Sequence, residues 1–353
     1  MTGLLRVRRA LPGVLLALGA IDGVSGQSGD LRGPPRDGPV DVSIGFYVVD
    51  IVDLNMDEKT FEFEGILSAR WSDTRLAFDP VEVGTDEKIY QGHYQFAEVF
   101  DGWWPPLVLR NESGRYESQG VLLRVSPEGD VTLVEEVQAV AELAMDLRRV
   151  PFDRQRLTAE FEVLGYGEDQ VVLHIDEERT GVGETTLTQW TLSPVESSTE
   201  ARDPAYLRDG APSVSAAIFA VPAARRPQYL LRLVFLPIAI FVALSWSVFW
   251  MDRESLGSRM DITFIAILTV VAFQIVVADQ FPRISYFTIM SSFMFTTYMT
   301  LGASVVVNLR VNALDRSGRV EAGNRLDYRC RWVFPLGYVA LIGLIVAYYF
   351  IRY

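Results

Sequence analysis

The sequence predicts an all-β sandwich, immunoglobulin-like with about ten strands, followed by a bundle of four transmembrane helices. The chain has 353 residues, too many for one small domain, and 49% of them are hydrophobic. Short β-branched and aromatic runs fill residues 42–220, whereas long apolar runs fill the last third. The charge also changes sign: residues 27–224 hold 37 acidic and 16 basic side chains, and residues 225–353 hold 7 and 13.

Residues 1–26 have the pattern of a secretory signal peptide. Arg6, Arg8 and Arg9 precede the apolar run Leu11–Ala20, and small residues follow. This run is too short to cross a bilayer as a helix. We therefore expect the segment to be cleaved, with an uncleaved anchor as the alternative.

Residues 27–224 form the predicted sandwich. Turn residues separate the apolar runs, a spacing typical of antiparallel sandwiches. The main runs are Val42–Val52, Thr60–Trp71, Gly120–Val125, Val131–Val140, Arg156–Val163 and Gln170–Ile175. The single cysteine, Cys330, excludes an intrachain disulfide and a Cys-rich metal site. The acidic charge of this domain repels nucleic acid.

Residues 225–353 form the predicted membrane domain. Its four apolar stretches have about 20 residues each, enough to cross ~30 Å of hydrocarbon as helices. They are Tyr229–Trp250, Ile262–Ala278, Tyr286–Leu309 and Trp332–Ile351. Arginines are concentrated in the connections that then face the cytoplasm, as the positive-inside rule expects. The connection between the third and fourth stretches is too short for a further domain.

The second stretch carries a carboxylate at each end, Asp261 and Asp279. Eighteen residues are five helical turns, so both lie on one face, ~27 Å apart. In a ring of several copies, this face would line a cation pore. The pore would have acidic mouths and a hydrophobic centre, and it would close when water leaves that centre. The apolar positions between them are Ile265, Leu268, Ala272, Ile275 and Val276. Alternatively, the carboxylates only mark the helix ends in the headgroup region.

Several short motifs occur in order along residues 40–353. They are Trp71-Ser72-Asp73 with Arg75, Trp103-Trp104-Pro105 with Asn111, Val150-Pro151-Phe152-Asp153 with Gln155, Arg225-Arg226-Pro227, Pro237, and Ala272-Phe273 with Phe281-Pro282-Arg283. This set resembles the pentameric ligand-gated ion channels, most closely the bacterial, cysteine-less members of the Cys-loop receptor superfamily. Leu143 and Leu157 stand where that family has the half-cystines of its signature loop.

The resemblance implies a cation-selective channel subunit that an extracellular ligand or a pH change opens. Its implied partners are identical subunits in a homopentamer, the lipid bilayer, monovalent cations, and a small-molecule agonist or protons. No cofactor and no nucleic acid are expected. The implied location is the inner cell membrane, crossed several times, with the N-terminal domain periplasmic or extracellular. A non-conducting, membrane-anchored periplasmic binding receptor is the alternative. Enzymatic activity is not expected, because no nucleophile–base pair is evident.

The resemblance also implies an agonist site between neighbouring extracellular domains. Tyr116, Tyr166 and Tyr206 are the candidates on the principal face, and Ile66 holds the complementary position where many relatives carry a tryptophan. Each tyrosine has an alternative reading as a packing residue at the rim of the fold. Trp71 and Trp103 could likewise be core residues of the sandwich.

Coupling to the pore is implied at the layer where the two domains meet. An arginine between carboxylates there can act as a charge-assisted joint. The implied residues are Asp57, Glu58, Pro151, Phe152, Asp153, Arg226 and Pro282. Asp73 and Asp153 could alternatively cap turns.

Overall fold

A computed structural model describes residues 33–35, 38–203, 212–251, 256–278 and 284–353, with the backbone alone at 256 and 276–278. Within these ranges, twelve strands form two sheets, and four helices are long and apolar enough to cross a membrane. The predicted fold class is therefore confirmed. The predicted signal peptide, Tyr206, Asp279 and Pro282 lie outside the described residues, as does the side chain of Val276.

The strands include the six predicted runs and several shorter ones. Their bounds are β1 Val40–Asn55, β2 Thr60–Ser72, β3 Lys88–Gln91, β4 Leu107–Leu109, β5 Glu112–Val125, β6 Asp130–Glu142, β7 Arg154–Val163, β8 Val171–Ile175, β9 Gly181–Val182, β10 Trp190–Leu192, β11 Glu196–Arg202 and β12 Val214–Arg225. The larger sheet has the order β3–β5–β6–β2–β1–β8, with β9 also beside β1. The smaller sheet has the order β10–β12–β7–β4, with β11 also beside β12.

The two sheets bury alternate residues of their strands against each other, as the period of two in a strand requires. Phe46 of β1 lies at the centre of this core. Its ring centroid is 5.1 Å from that of Phe161 and 5.6 Å from that of Phe219, both in the smaller sheet. Leu143 and Leu157 are buried in the same core, so apolar packing occupies the half-cystine positions.

Two strand pairs depart from the antiparallel arrangement of the rest of the sandwich. β8 and β9 each pair with β1 in parallel. The chain crosses to the smaller sheet in β7 and then returns to the β1 edge, so β8 enters the larger sheet running in the same direction as β1.

Short helical segments connect the strands at Thr74–Leu76, Pro80–Val83, Gly92–Tyr94, Gln95–Val99 and Glu177–Arg179. Asp73 caps the first of them, because its carboxylate accepts a hydrogen bond from the Arg75 amide at 3.0 Å. Trp71 and Trp103 are both buried, with ring centroids 5.9 Å apart in edge-to-face contact. Turn capping by Asp73 and core packing by the two tryptophans, which were open alternatives, are therefore what the structure contains.

The four membrane helices follow β12 after two residues. The first span covers Gln228–Trp250, and the second helix covers Leu256–Ala278. The third covers Ile289–Arg316, and the fourth covers Val320–Arg352. The first span comprises Gln228–Leu230, the π-helical turn Leu231–Phe235, the α-helix Leu236–Ser245 and the 3₁₀ turn Trp246–Trp250.

Local sequence explains several features of these helices. The π-helical turn comes directly before Pro237, which lacks the amide that would complete a regular α-helical ladder. Thr288 and Ser291 form a capping box at the start of the third helix. Gly318, with φ of 76°, ends that helix and lets the fourth begin two residues later. The predicted connection between the third and fourth spans is therefore mostly helix, and only three residues are left in the turn.

Candidate functional site

An aromatic cavity of about 410 Å³ opens on the extracellular domain. Tyr166 lies in it and meets Trp103 edge to face, with ring centroids 6.0 Å apart. Phe96 packs against Trp104, with ring centroids 4.9 Å apart. Asp101 is the carboxylate in the wall. The full lining is Ala97, Phe100, Asp101, Gly102, Trp103, Trp104, Pro106 and Tyr166.

Tyr116 and Ile66, two further predicted ligand residues, lie away from this cavity in the single chain. Tyr116 is on β5 of the larger sheet, packed against the core. Its burial, with the nearby carboxylates Glu135 and Glu112, raises the pKa of its phenol well above the ordinary value. Ile66 is on β2 with a partly exposed side chain, opposite Glu136. Of the predicted ligand residues that the structure describes, Tyr166 alone lies in the cavity.

Sequence reasoning missed Phe100 and Trp104 as cavity residues. Trp104 belongs to the Trp-Trp-Pro motif, which was the available signal. Its neighbour Trp103 is buried in the core, whereas 37% of the surface of Trp104 stays exposed.

A buried ion pair lies at the end of β12, two residues before the first membrane span begins. Arg225 Nε lies 2.6 Å from Asp153 Oδ1, and Arg225 Nη2 lies 3.1 Å from Asp153 Oδ2. The guanidinium also stacks over Trp190 at 4.2 Å and contacts the sulfur of Met56 at 2.8 Å. Gln155 donates a further hydrogen bond to Asp153 at 2.8 Å. Asp153 is therefore the centre of a polar cluster rather than a simple turn cap.

In the described residues, Arg225 pairs with Asp153, and the predicted Arg226 does not. Its side chain instead donates to Thr191 Oγ1 at 3.0 Å and to the Thr188 carbonyl at 3.5 Å. Arg225 is the last residue of β12 and is buried beside Asp153, whereas Arg226 follows the strand and is exposed.

The turn between β1 and β2 places Met56 against Arg225 and leaves the carboxylates of Asp57 and Glu58 exposed. The amides of Asp57 and Glu58 both donate to Asn55 Oδ1 at 3.0 Å, which closes the turn. Among the described residues, neither carboxylate pairs with Arg225. The predicted arrangement of one arginine between two carboxylates is thus not formed in this subunit.

The loop at Val150-Pro151-Phe152 lies on the membrane helices. Pro151 follows a cis peptide bond and is buried. Phe152 contacts Phe350 of the fourth helix, with ring centroids 5.7 Å apart. Just upstream, the Arg148 carbonyl accepts a hydrogen bond from the Ile289 amide at 2.9 Å. This loop therefore touches the third and fourth helices together.

The second helix has one exposed face and one buried face. Ala266 and Val270 are buried against the other helices, together with Arg259 and Thr263. The opposite face is exposed along its length, and Leu268 at its middle is 67% exposed. The exposed face contains the predicted pore residues Asp261, Ile265, Leu268, Ala272 and Ile275.

Comparison with known proteins covers both domains. Residues 31–209 match the neurotransmitter-gated ion-channel ligand binding domain, and residues 234–321 match the neurotransmitter-gated ion-channel transmembrane region. A proton-gated ion channel of Gloeobacter violaceus is 26% identical over 91% of this chain and 87% of its own length.

Two animal relatives are similar at lower coverage. The pH-sensitive chloride channel 2 of Anopheles gambiae is 26% identical over 70% of this chain, and the acetylcholine receptor subunit beta of Xenopus laevis is 25% identical over 76%. The matches cover 42% and 56% of those proteins, so the chain spans about half of their length.

These relatives are channels and receptors rather than enzymes. The four candidate spans after a ligand-binding domain make this chain a multi-pass membrane protein whose N-terminal domain is extracellular. The ligand-binding-domain match alone covers half of the sequence. The chain belongs to the neurotransmitter-gated ion-channel family, the pentameric ligand-gated ion channels.

Proposed function

We propose that five copies of this chain form a cation-selective channel that an extracellular ligand or a pH change opens. The observation that carries this proposal is the exposed face of the second helix. It has a carboxylate, Asp261, at its cytoplasmic end and apolar side chains above it. Nothing in a non-conducting receptor would require that arrangement.

The exposed face of the second helix is expected to contact water, and identical subunits are expected to enclose that water. A carboxylate at this depth is costly against hydrocarbon, so Asp261 is expected to face an aqueous space. One helix cannot enclose water, whereas a closed ring of identical subunits can. In such a ring, Ile265, Leu268, Ala272 and Ile275 line the space above Asp261, followed by Val276 and Asp279.

The sign of the charge favours cations. A ring of Asp261 carboxylates at a narrow mouth raises the local concentration of monovalent cations and lowers that of chloride. The acidic extracellular domain, with 37 acidic and 16 basic residues between 27 and 224, acts in the same direction. The relatives include both a proton-gated channel and a chloride channel, so selectivity rests on these residues.

The aromatic cavity is the proposed principal half of an agonist site. Tyr166 and Trp104 offer aromatic rings, and Asp101 offers a negative charge, a combination that suits a small organic cation. Tyr206, which lies outside the described residues, and Tyr116 stay candidates for the principal face. Ile66, on the other sheet, is proposed for the complementary face of the next subunit. A proton is the alternative stimulus, as in the Gloeobacter relative.

Signal transfer to the pore is proposed to run through the Asp153–Arg225 joint. It links the loop of Pro151 and Phe152 to β12, which continues directly into the first membrane span. The exposed carboxylates of Asp57 and Glu58 stand at the same layer, and Pro282 is expected there from the motif order. Movement of β12 can therefore reach the helices without passing through a flexible linker.

Recording from purified protein in planar bilayers tests this function. The bath is screened across pH, small amines and small carboxylates under a sodium chloride gradient. We expect stimulus-dependent currents that reverse near the sodium equilibrium potential. Assembled protein that gives no current under any stimulus favours the non-conducting receptor, and reversal near the chloride potential rejects cation selectivity.

A further inference from the structure

Three buried polar atoms at the cytoplasmic end of the helix bundle have no hydrogen-bond partner among the described residues. Two of them, Nδ2 and Oδ1, form the amide of Asn308 on the third helix, and the third is Nε of Arg259 on the second. Asn308 is completely buried, and Arg259 is only 2% exposed. A buried amide with both its donor and its acceptor unpaired is rare, because neither atom recovers the hydrogen bond that it gave up to water.

The hairpin of the third and fourth helices places Asn308 level with a buried ion pair. Asn308 lies eight residues before the end of the third helix at Arg316, and Asp327 lies seven residues after the start of the fourth at Val320. At the helical rise per residue, these positions are about 12 Å and about 11 Å from the connecting turn. Asp327 in turn binds Arg259, with Nη2 and Oδ1 2.9 Å apart. The second, third and fourth helices therefore each contribute to one polar layer.

The hydroxyl groups nearest in sequence to these atoms are already donating elsewhere. Ser304 and Thr263 lie one turn from Asn308 and Arg259 on the same buried faces, and both are completely buried. Ser304 Oγ donates to the Leu301 carbonyl at 2.7 Å, and Thr263 Oγ1 donates to the Arg259 carbonyl at 3.1 Å. Neither hydroxyl proton is therefore available to Asn308 Oδ1.

The chemistry of the unpaired atoms selects the ligand. Asn308 Nδ2 and Arg259 Nε are donors, whereas Asn308 Oδ1 is an acceptor. A chloride ion would accept from both donors but leave Oδ1 unpaired, and a cation would bind to Oδ1 alone, beside a guanidinium. Water both donates and accepts, and an internal water typically makes about three hydrogen bonds to buried polar groups.

We propose that this layer is a binding site for internal water, which Asn308 and Arg259 hold. The water accepts from the unpaired donors and donates to Asn308 Oδ1. It also gives the Arg259–Asp327 pair a polar surrounding, which lowers the cost of burying two charges. Since one subunit supplies all of these residues, the site is independent of the proposed ion selectivity and stimulus.

Electron cryomicroscopy of the full chain in lipid nanodiscs, at a resolution that shows other buried waters, tests the site. We expect density for a water about 2.7–3.2 Å from an amide atom of Asn308. A layer without such density, or an Asn308 amide bonded directly to other protein groups, would overturn the proposal. So would an anomalous bromide peak at this position in crystals grown with bromide, because the ligand would then be a halide.

Variants at two asparagines of the third helix separate hydration from general polarity. Asn308→Leu removes both amide atoms with little change in shape, and Asn312→Leu removes an amide one turn further along, where the side chain is partly exposed. We expect Asn308→Leu to lose the water density and to lower Tm, because Arg259 Nε loses its water as well. Asn312→Leu should keep the density and the wild-type Tm.

Asn308→Ser guards against misfolding of the leucine variant. Its hydroxyl can still bind water, so we expect the density to persist. A higher Tm for Asn308→Leu than for wild type would show that the buried amide was unpaired rather than hydrated, and would contradict the site. Loss of the density in Asn312→Leu as well would also contradict it.

Discussion

Arg259 and Asp327 form a buried ion pair between the base of the second helix and the fourth helix. Arg259 Nη2 lies 2.9 Å from Asp327 Oδ1, and Nη1 lies 3.3 Å from Oδ2. Both side chains are at least 94% buried, and Arg259 is only two residues before Asp261. A positive charge that could oppose cation entry is therefore neutralised on the side of the helix that faces away from the proposed pore.

We predict that Asp327→Asn destabilises the protein and lowers cation conductance. Removing one partner leaves Arg259 as an uncompensated buried cation, which typically costs about 3–5 kcal/mol. Part of that cost is relieved if the arginine turns towards the aqueous mouth, where it repels cations. Thermal unfolding and single-channel conductance measure the two effects.

The double variant Arg259→Gln/Asp327→Asn provides the control for this pair. It removes both charges together, so most of the stability and conductance should return. Equal losses in the single and double variants would contradict the role of charge compensation.

Arg225→Gln should impair gating, because it leaves Asp153 buried without its cation. Arg226→Gln is the matched control one residue away, since its partners are two exposed threonine oxygens. Concentration–response curves at equal surface expression compare the two variants. An unchanged Arg225→Gln curve, or equal shifts in both variants, would remove this ion pair from the coupling path.

Leu268→Ser should make the channel easier to open. A ring of leucines excludes water from the middle of the pore, and a small polar side chain lets water persist there. A change of about 1.4 kcal/mol in the closed–open equilibrium would lower the half-activating stimulus about tenfold. Leu268→Ile retains the hydrocarbon and should leave activation nearly unchanged. A normally assembled Leu268→Ser channel with the wild-type curve would exclude Leu268 as the gate.

Asp50 should contribute to stability at neutral pH and lose that contribution in acid. Partial burial acts to raise the pKa of Asp50, but hydrogen bonds from the Thr186 amide and hydroxyl, both at 3.0 Å, outweigh it and lower the pKa from 3.8. The stabilisation is therefore complete above the unfolded-state pKa and disappears as pH falls through the lower folded-state value.

The comparison of Asp50→Asn with wild type checks this sign. The difference in Tm should be constant from neutral pH down to about pH 5 and shrink at lower pH. Because Asp50 stays ionised above that range, the variant should keep the wild-type pH of activation if protons open the channel. A shifted activation midpoint would instead make Asp50 part of a proton sensor.

The fold class could be predicted from the sequence, and so could the exposed face of the second helix, because burial follows periodicity. A helix with carboxylates 18 residues apart has only one geometry, so the exposed positions of Leu268 and Ile275 could be predicted before any contact was known. The core position of Leu157 in β7 likewise follows from strand alternation.

Other features depend on contacts that periodicity does not specify. Arg225 and Arg226 are chemically identical, and the sequence does not show which of two adjacent arginines turns towards Asp153. Hydropathy identifies the apolar part of a helix that can cross the hydrocarbon, but not where the helix ends. The predicted fourth span therefore begins at Trp332, whereas the helix begins at Val320. The aromatic cavity unites segments around Phe100 and Tyr166 that are distant in sequence.

The reversal potential of Asp261→Asn in a sodium chloride gradient tests the proposed pore most directly. Glu321→Gln is the control, since it removes the same charge from the exposed start of the fourth helix. If Asp261 lines a cation pore, its variant should reverse closer to the chloride potential and conduct less, whereas Glu321→Gln should match wild type. An Asp261→Asn channel with unchanged reversal potential and conductance would show that this face of the second helix does not line the pore.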